Sequence, residues 1–217
     1  MRFGTATRNL IRAALSVVAM APLMAMAVDG VVLIDQNKAL AGGVTPGDGA
    51  GYPVTITQPG SYRLSGNLTL PPGSDGIVIT VPNVTIDLNG FAVLGIAGGS
   101  PGAGIRYTGP LPATGLAIGN GSINGLFSPL SLGSTWVWGT IYTDGAEVML
   151  KDLYINLGIP GTSAGFYIGA HSTVVNVIAG AYDLYVTTCP STVVNSVFEN
   201  VRVVGTRCVV ANTATVF

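Results

Sequence analysis

Val174-Val175-Asn176-Val177-Ile178 is followed, nineteen residues on, by Val193-Val194-Asn195-Ser196-Val197. The same shift lays Leu184 on Val203 and Cys189 on Cys208. Working outward, three more aliphatic residues match Val174 and Val193: Ile86, Ile118 and Leu150, so the series runs at intervals of 32, 32, 24 and 19. Two positions beyond these anchors stand Leu88, Asn120, Asp152, Asn176 and Asn195, and five beyond stand Phe91, Ile123, Ile155, Ala179 and Phe198. Val84, Leu116 and Val148 come two positions before the first three. Each unit therefore reads as apolar alternation, a turn position rich in Asn or Asp, and a second apolar strand. Units of 19 to 32 residues made of short strands and turns indicate a β-solenoid. The alternative, an antiparallel sandwich, would call for two-residue Asn-Gly or Asp-Gly hairpin turns, which are scarce in the second half of the chain.

The physics of a solenoid accounts for the pattern. Each coil turns one apolar side chain per strand inward, where it stacks on its equivalents ~4.8 Å above and below. Asn tolerates left-handed backbone angles and bonds neighbouring backbone, so it suits the turn position. Stacked amides can also bond one another along the axis. Asn120, Asp152, Asn176 and Asn195 thus have a structural reading that needs no ligand.

Composition narrows the function classes. Among 217 residues, 9 are Lys or Arg and 10 are Asp or Glu, so no basic surplus exists to hold a nucleic-acid backbone. A mean hydropathy of +0.57 argues against disorder. With 31 Gly and 13 Pro, long helices have little room. One His and two Cys exclude a His/Cys-rich metal site, and nothing in the sequence implies a metal or other cofactor.

Residues 1–27 read as a secretory signal peptide: Arg2, Arg8 and Arg12, an apolar run from Ala13 to Leu23, and a small-x-small site at Ala25-Met26-Ala27. The product is expected in the periplasm or outside the cell, without a transmembrane segment. Only Cys189 and Cys208 are available to pair in that oxidising compartment. If they occupy equivalent positions on neighbouring coils, their Cα atoms stand ~4.8 Å apart, within disulfide reach. Two free buried thiols are the alternative.

The organisation expected is an N-terminal cap and first coil over residues 28–70, then coils over residues 71–217. Pro53 to Leu70 reads as two or three short strands within the cap. Two insertions rich in Gly, Pro and Ser, Gly95 to Gly115 and Leu126 to Gly139, are loop-like. The second carries Trp136 and Trp138, which alternation places on one side, with Tyr142 just beyond. These three are the candidate glycan-stacking residues. The competing reading folds the indoles back onto the flank of a coil.

The run Tyr52-Pro53-Val54-Thr55-Ile56-Thr57-Gln58-Pro59-Gly60-Ser61-Tyr62-Arg63-Leu64-Ser65-Gly66-Asn67-Leu68, followed by Val84-Thr85-Ile86-Asp87-Leu88-Asn89-Gly90-Phe91, resembles the opening of secreted bacterial right-handed parallel β-helix proteins of the pectin-lyase-like superfold. The resemblance implies an all-β, right-handed, single-stranded parallel β-helix, of about six coils by the repeat count. It also implies a polysaccharide as the partner to expect. The superfold's hydrolases carry paired Asp residues and an Arg-x-Lys, neither of which is present. Asp144, Glu147, Asp152 and Asp183 are the carboxylates that adjacent coils could bring to glycosidase spacing. Its lyases use a cationic base and Ca²⁺, for which Arg106, Lys151, Arg202 and Arg207 are candidates, but no carboxylate cluster accompanies them. His171 has no Ser or Asp partner at a readable spacing. The expectation is a secreted module without a recognisable catalytic site, structural or glycan-contacting; the alternative is a small polysaccharide lyase or glycoside hydrolase with a divergent site.

Overall fold

The computed structural model describes residues 30–95, 102–110, 113–125, 128–131, 140–141, 147–156, 164–186, 189–203 and 206–215. The signal segment, Trp136, Trp138, Tyr142 and Asp144 lie outside the described residues. The chain is mostly β, and its strand pairs among the described residues are parallel. They form one sheet of 14 strands and another of four, an arrangement consistent with a β-solenoid.

One column of paired residues runs through the large sheet: Val32, Tyr62, Ile86, Ile118, Leu150, Val174, Val193 and Val210. The five sequence anchors occupy consecutive places in it, and none is more than 2% exposed. Alternation then turns Met149, at 49% exposure, outward on the same strand as buried Leu150. A second column, Val54, Ile77, Ile105 and Leu130, belongs to the four-stranded sheet.

The turn positions behave as their chemistry requires. Asn120, Asp152, Asn176 and Asn195 have φ of 60°, 52°, 54° and 51°, the left-handed region that Asn and Asp enter most cheaply. Asn212, two places beyond Val210, has φ 50° and extends the series. Between rungs, Asn176 Nδ2 donates to Asp152 Oδ1 at 2.8 Å. The first unit differs. Leu88 is buried there, and the turn passes through Asn89 and Gly90, both with positive φ. Two added residues hand the core position to Val93, which pairs with Ile123 in place of Phe91. A further corner lies three residues before the anchors, where Asn83, Gly115, His171 and Arg207 are also left-handed.

The nineteen-residue register holds from Val174↔Val193 to Ala179↔Phe198 and then slips. Between Ala179 and Asp183 the pairing shifts, so Leu184 meets Val201, and Val203 meets Val186. The next rung keeps the shorter spacing, with Val193 opposite Val210. Cys189 and Cys208 are therefore not register equivalents; Cys208 stands where the preceding rung has Ser191. They form a disulfide all the same, with Cα atoms 5.2 Å apart. Both cysteines lie in the corner that runs from Val186 to Thr192 on one rung and from Val203 to Val209 on the next, where Arg207 has φ 81°.

Toward the N-terminus, a strand and several side chains cover open strand edges. Val31–Ile34 pairs along Gly60–Leu64. It leads into a six-residue helix, Gln36–Ala41, that the repeat reading does not foresee. Asp35 caps it by accepting the Lys38 N–H at 2.8 Å, and Gly42 ends it at φ 76°. Gln36 then acts as a surrogate strand. Its Oε1 accepts Thr69 N–H at 2.8 Å and its Nε2 donates to Thr69 O at 3.3 Å. Along Val54–Ile56, Asp48 accepts Thr55 N–H at 2.7 Å, and Thr45 Oγ1 donates to Thr55 O at 2.6 Å. Side chains thereby satisfy edge groups that would otherwise template pairing with another chain.

Candidate functional site

The candidate site arises from two small residues on the outward face of the anchor strands. Thr85, Ala117 and Met149 are paired across three rungs, as are Asp87, Gly119 and Lys151. Ile86, Ile118 and Leu150 point inward between them, so these six face solvent. With no bulk at Ala117 and Gly119, the middle rung becomes the floor of an open groove of about 340 Å³, at the low end for ligand sites. Gly119 is also required by packing, because a Cβ there would collide with the Lys151 carbonyl oxygen.

Charged groups edge the floor on both sides. Arg63 Nε lies 2.8 Å from Asp87 Oδ2, while Asp87 Oδ1 accepts from Asn120 Nδ2 at 2.9 Å and from Asn89 N–H at 2.8 Å. On the opposite edge, Lys151 Nζ is 3.6 Å from Asp152 Oδ2. Each edge is thus nearly neutral, and the groove offers carboxylates, an amide and an ammonium beside the apolar flank of Met149. Such a surface suits a ligand rich in hydroxyls with one flat apolar side.

Asp87 is held below its usual titration range. Partial burial pushes its pKa up, but the Asn120 amide, the Asn89 N–H and the Arg63 guanidinium together outweigh burial and lower it. The stability this carboxylate contributes is complete above the unfolded-state value near ~4 and is lost as pH falls through the lower folded-state value. The melting temperature of the wild type is accordingly expected to fall more steeply below that pH than that of Asp87→Asn. Equal slopes in the two melting profiles would show Asp87 uncoupled from folding.

The sequence candidates do not converge. Asp152 stands at its turn position beside the groove, while Glu147 lies against His171, with Oε1 3.2 Å from Nδ1. Asp183 is 8% exposed and accepts from Asn200 Nδ2 at 2.7 Å and from Tyr185 OH at 3.1 Å. Among the cations, Arg106 is held by Asp75 at 2.7 Å, Arg202 lies over the Tyr185 ring, and Lys151 borders the groove. Sequence reasoning missed Arg63, Asp87, Ala117 and Gly119. The signal was present, because the 32-residue interval between Ile86 and Ile118 sets Ala117 beside Thr85 and Gly119 beside Asp87. Comparisons with protein-family models, with curated proteins and with solved structures find no match to this chain.

Proposed function

We propose that this chain is an exported, right-handed parallel β-helix that serves as a non-catalytic structural module contacting glycans in the periplasm or outside the cell. Right-handed crossovers are the near-universal connection between parallel strands of one sheet, and the Cys189–Cys208 disulfide accords with an oxidising compartment.

The observation that carries the non-catalytic reading is how the carboxylates are used. Asp35 caps a helix, Asp48 serves a strand edge, and Asp75 and Asp87 bind arginines. Glu147, Asp152 and Asp183 are likewise engaged with a neighbouring side chain, and Glu199 does not line the groove. Asp87 and Asp152 do edge the groove, but each is hydrogen-bonded to a neighbouring side chain, whereas a general acid–base pair needs carboxylates free to act on a substrate. The groove at Ala117 and Gly119 is the proposed contact surface, with polysaccharide as its partner.

A glycan array probed with residues 28–217 tests this reading, together with an assay for unsaturated uronate products. The expected result is glycan retention without turnover, weakened about tenfold or more by Ala117→Tyr, which fills the groove floor without entering the core. Accumulation of unsaturated product would instead favour a lyase of the same fold. Failure to retain any glycan would leave a purely structural module.

A further inference from the structure

A second depression, of about 280 Å³, lies on the same outward face farther along the axis, lined by His171, Thr173, Pro190, Thr192 and Arg207 among others. It lies where a short side chain falls between two longer ones. His171, Pro190 and Arg207 each stand three residues before an anchor, in the corner that precedes Val174, Val193 and Val210. All three are exposed, His171 and Arg207 are left-handed, and the compact Pro190 ring stands between the two longer side chains.

The donors around this gap converge. The hydroxyls of Thr173 and Thr192, neighbours in register, carry no hydrogen bond among the described residues. Ser191, beneath them, is buried and already donates to Gly169 O at 2.9 Å. Arg207 makes no ion pair among the described residues. The nearest carboxylate by register, Glu147, belongs to the rung on the far side of His171 from Arg207 and is taken up by that imidazole. The result is a cavity with an uncommitted guanidinium on one wall, an imidazole on the other and two free hydroxyls on the floor.

We infer that this depression binds a sulfate or phosphate monoester group. An arginine supplies charge-assisted hydrogen bonds to such oxygens, and hydroxyls approaching from a third direction suit a tetrahedral anion better than a planar one. The volume exceeds that of the bare anion and leaves room for the group that carries the ester. This inference does not depend on the glycan reading of the groove, whose centre lies three rungs away, ~14 Å at the spacing of paired strands.

The test is a titration of the mature chain followed by amide chemical shifts, with glucose 6-sulfate, glycerol 3-phosphate and acetate as probes. Shifts confined to residues 171–173, 191–192 and 207 are expected with the two esters, and weaker ones with acetate. Whichever ester binds more tightly identifies the carrier. Arg207→Gln should weaken ester binding roughly ten- to hundredfold, the effect of losing a hydrogen bond to a charged group. Thr173→Val with Thr192→Val, which preserves strand propensity, should weaken it while the remaining spectrum stays native. Ala117→Tyr should leave it unchanged, which separates this site from the groove. Unchanged affinity in both the Arg207 and the Thr variants, or acetate binding as tightly as the esters, would overturn the inference.

Discussion

Leu150→Ala is expected to lower unfolding free energy by about 2–5 kcal/mol, read from urea denaturation of residues 28–217. Leu150 is 2% exposed and sits in the core column between Ile118 and Val174. Truncation leaves a void that strands on both sides are poorly placed to fill, since each is fixed by backbone pairing to its own neighbour. In a solenoid each rung contacts mainly the next, so the loss weakens two interfaces at once. Amides of Val148–Asn156 and Thr173–Val186 should therefore lose hydrogen-exchange protection together. A cost below about 1 kcal/mol would mean that the column relaxes freely, contrary to close packing.

Removing the disulfide, by reduction or as Cys189→Ser with Cys208→Ser, is expected to destabilise the last rungs by about 3 kcal/mol on the chain-entropy account of a loop this size. The site is sensitive because the final strands bury little. Val209 is 53% exposed and Val210 41%, although Val210 continues a column whose earlier anchors are almost fully covered. Val209–Ala211 and Ala214–Thr215 pair, among the described residues, with Thr192–Val194 and Val197–Val203. With so little apolar area removed from water, the covalent tie carries much of the order there. Hydrogen exchange should show residues 192–215 opening first in the reduced protein while Val148–Asn156 stays protected. Equal protection before and after reduction would assign the stability of these rungs to packing alone.

Much of the fold was legible because a parallel stack asks for the same thing at every rung. Ile86, Ile118, Leu150, Val174 and Val193 recur because one inward column needs an aliphatic residue each time it passes. Asn120, Asp152, Asn176 and Asn195 recur because one corner needs a left-handed residue. The devices at the N-terminal strand edges were not legible. A helix of six residues carries too little periodicity to be seen, and Gln36, Thr45 and Asp48 work through single hydrogen bonds to strand edges distant in sequence. The candidate site was less visible still, for Ala117 and Gly119 attract notice only once Met149 and Lys151 are known to flank them.

The amino-acid sequence by itself determined the repeat, the inward column, the left-handed corners and the partners in the disulfide. Each of these follows from a local requirement, an apolar side chain or an attainable φ, that leaves its mark at one position per coil. Only the tertiary structure decided where the register slips, which places Cys208 opposite Ser191 and not Cys189, and which side chains close the N-terminal edges. It also decided that two outward-facing depressions form, one where the small residues Ala117 and Gly119 meet larger neighbours and one where Pro190 falls between His171 and Arg207. Those features depend on how many residues each coil spends at its corners before returning to the ladder. That number changes from coil to coil, and it is settled by which backbone pairs and core contacts can be satisfied together.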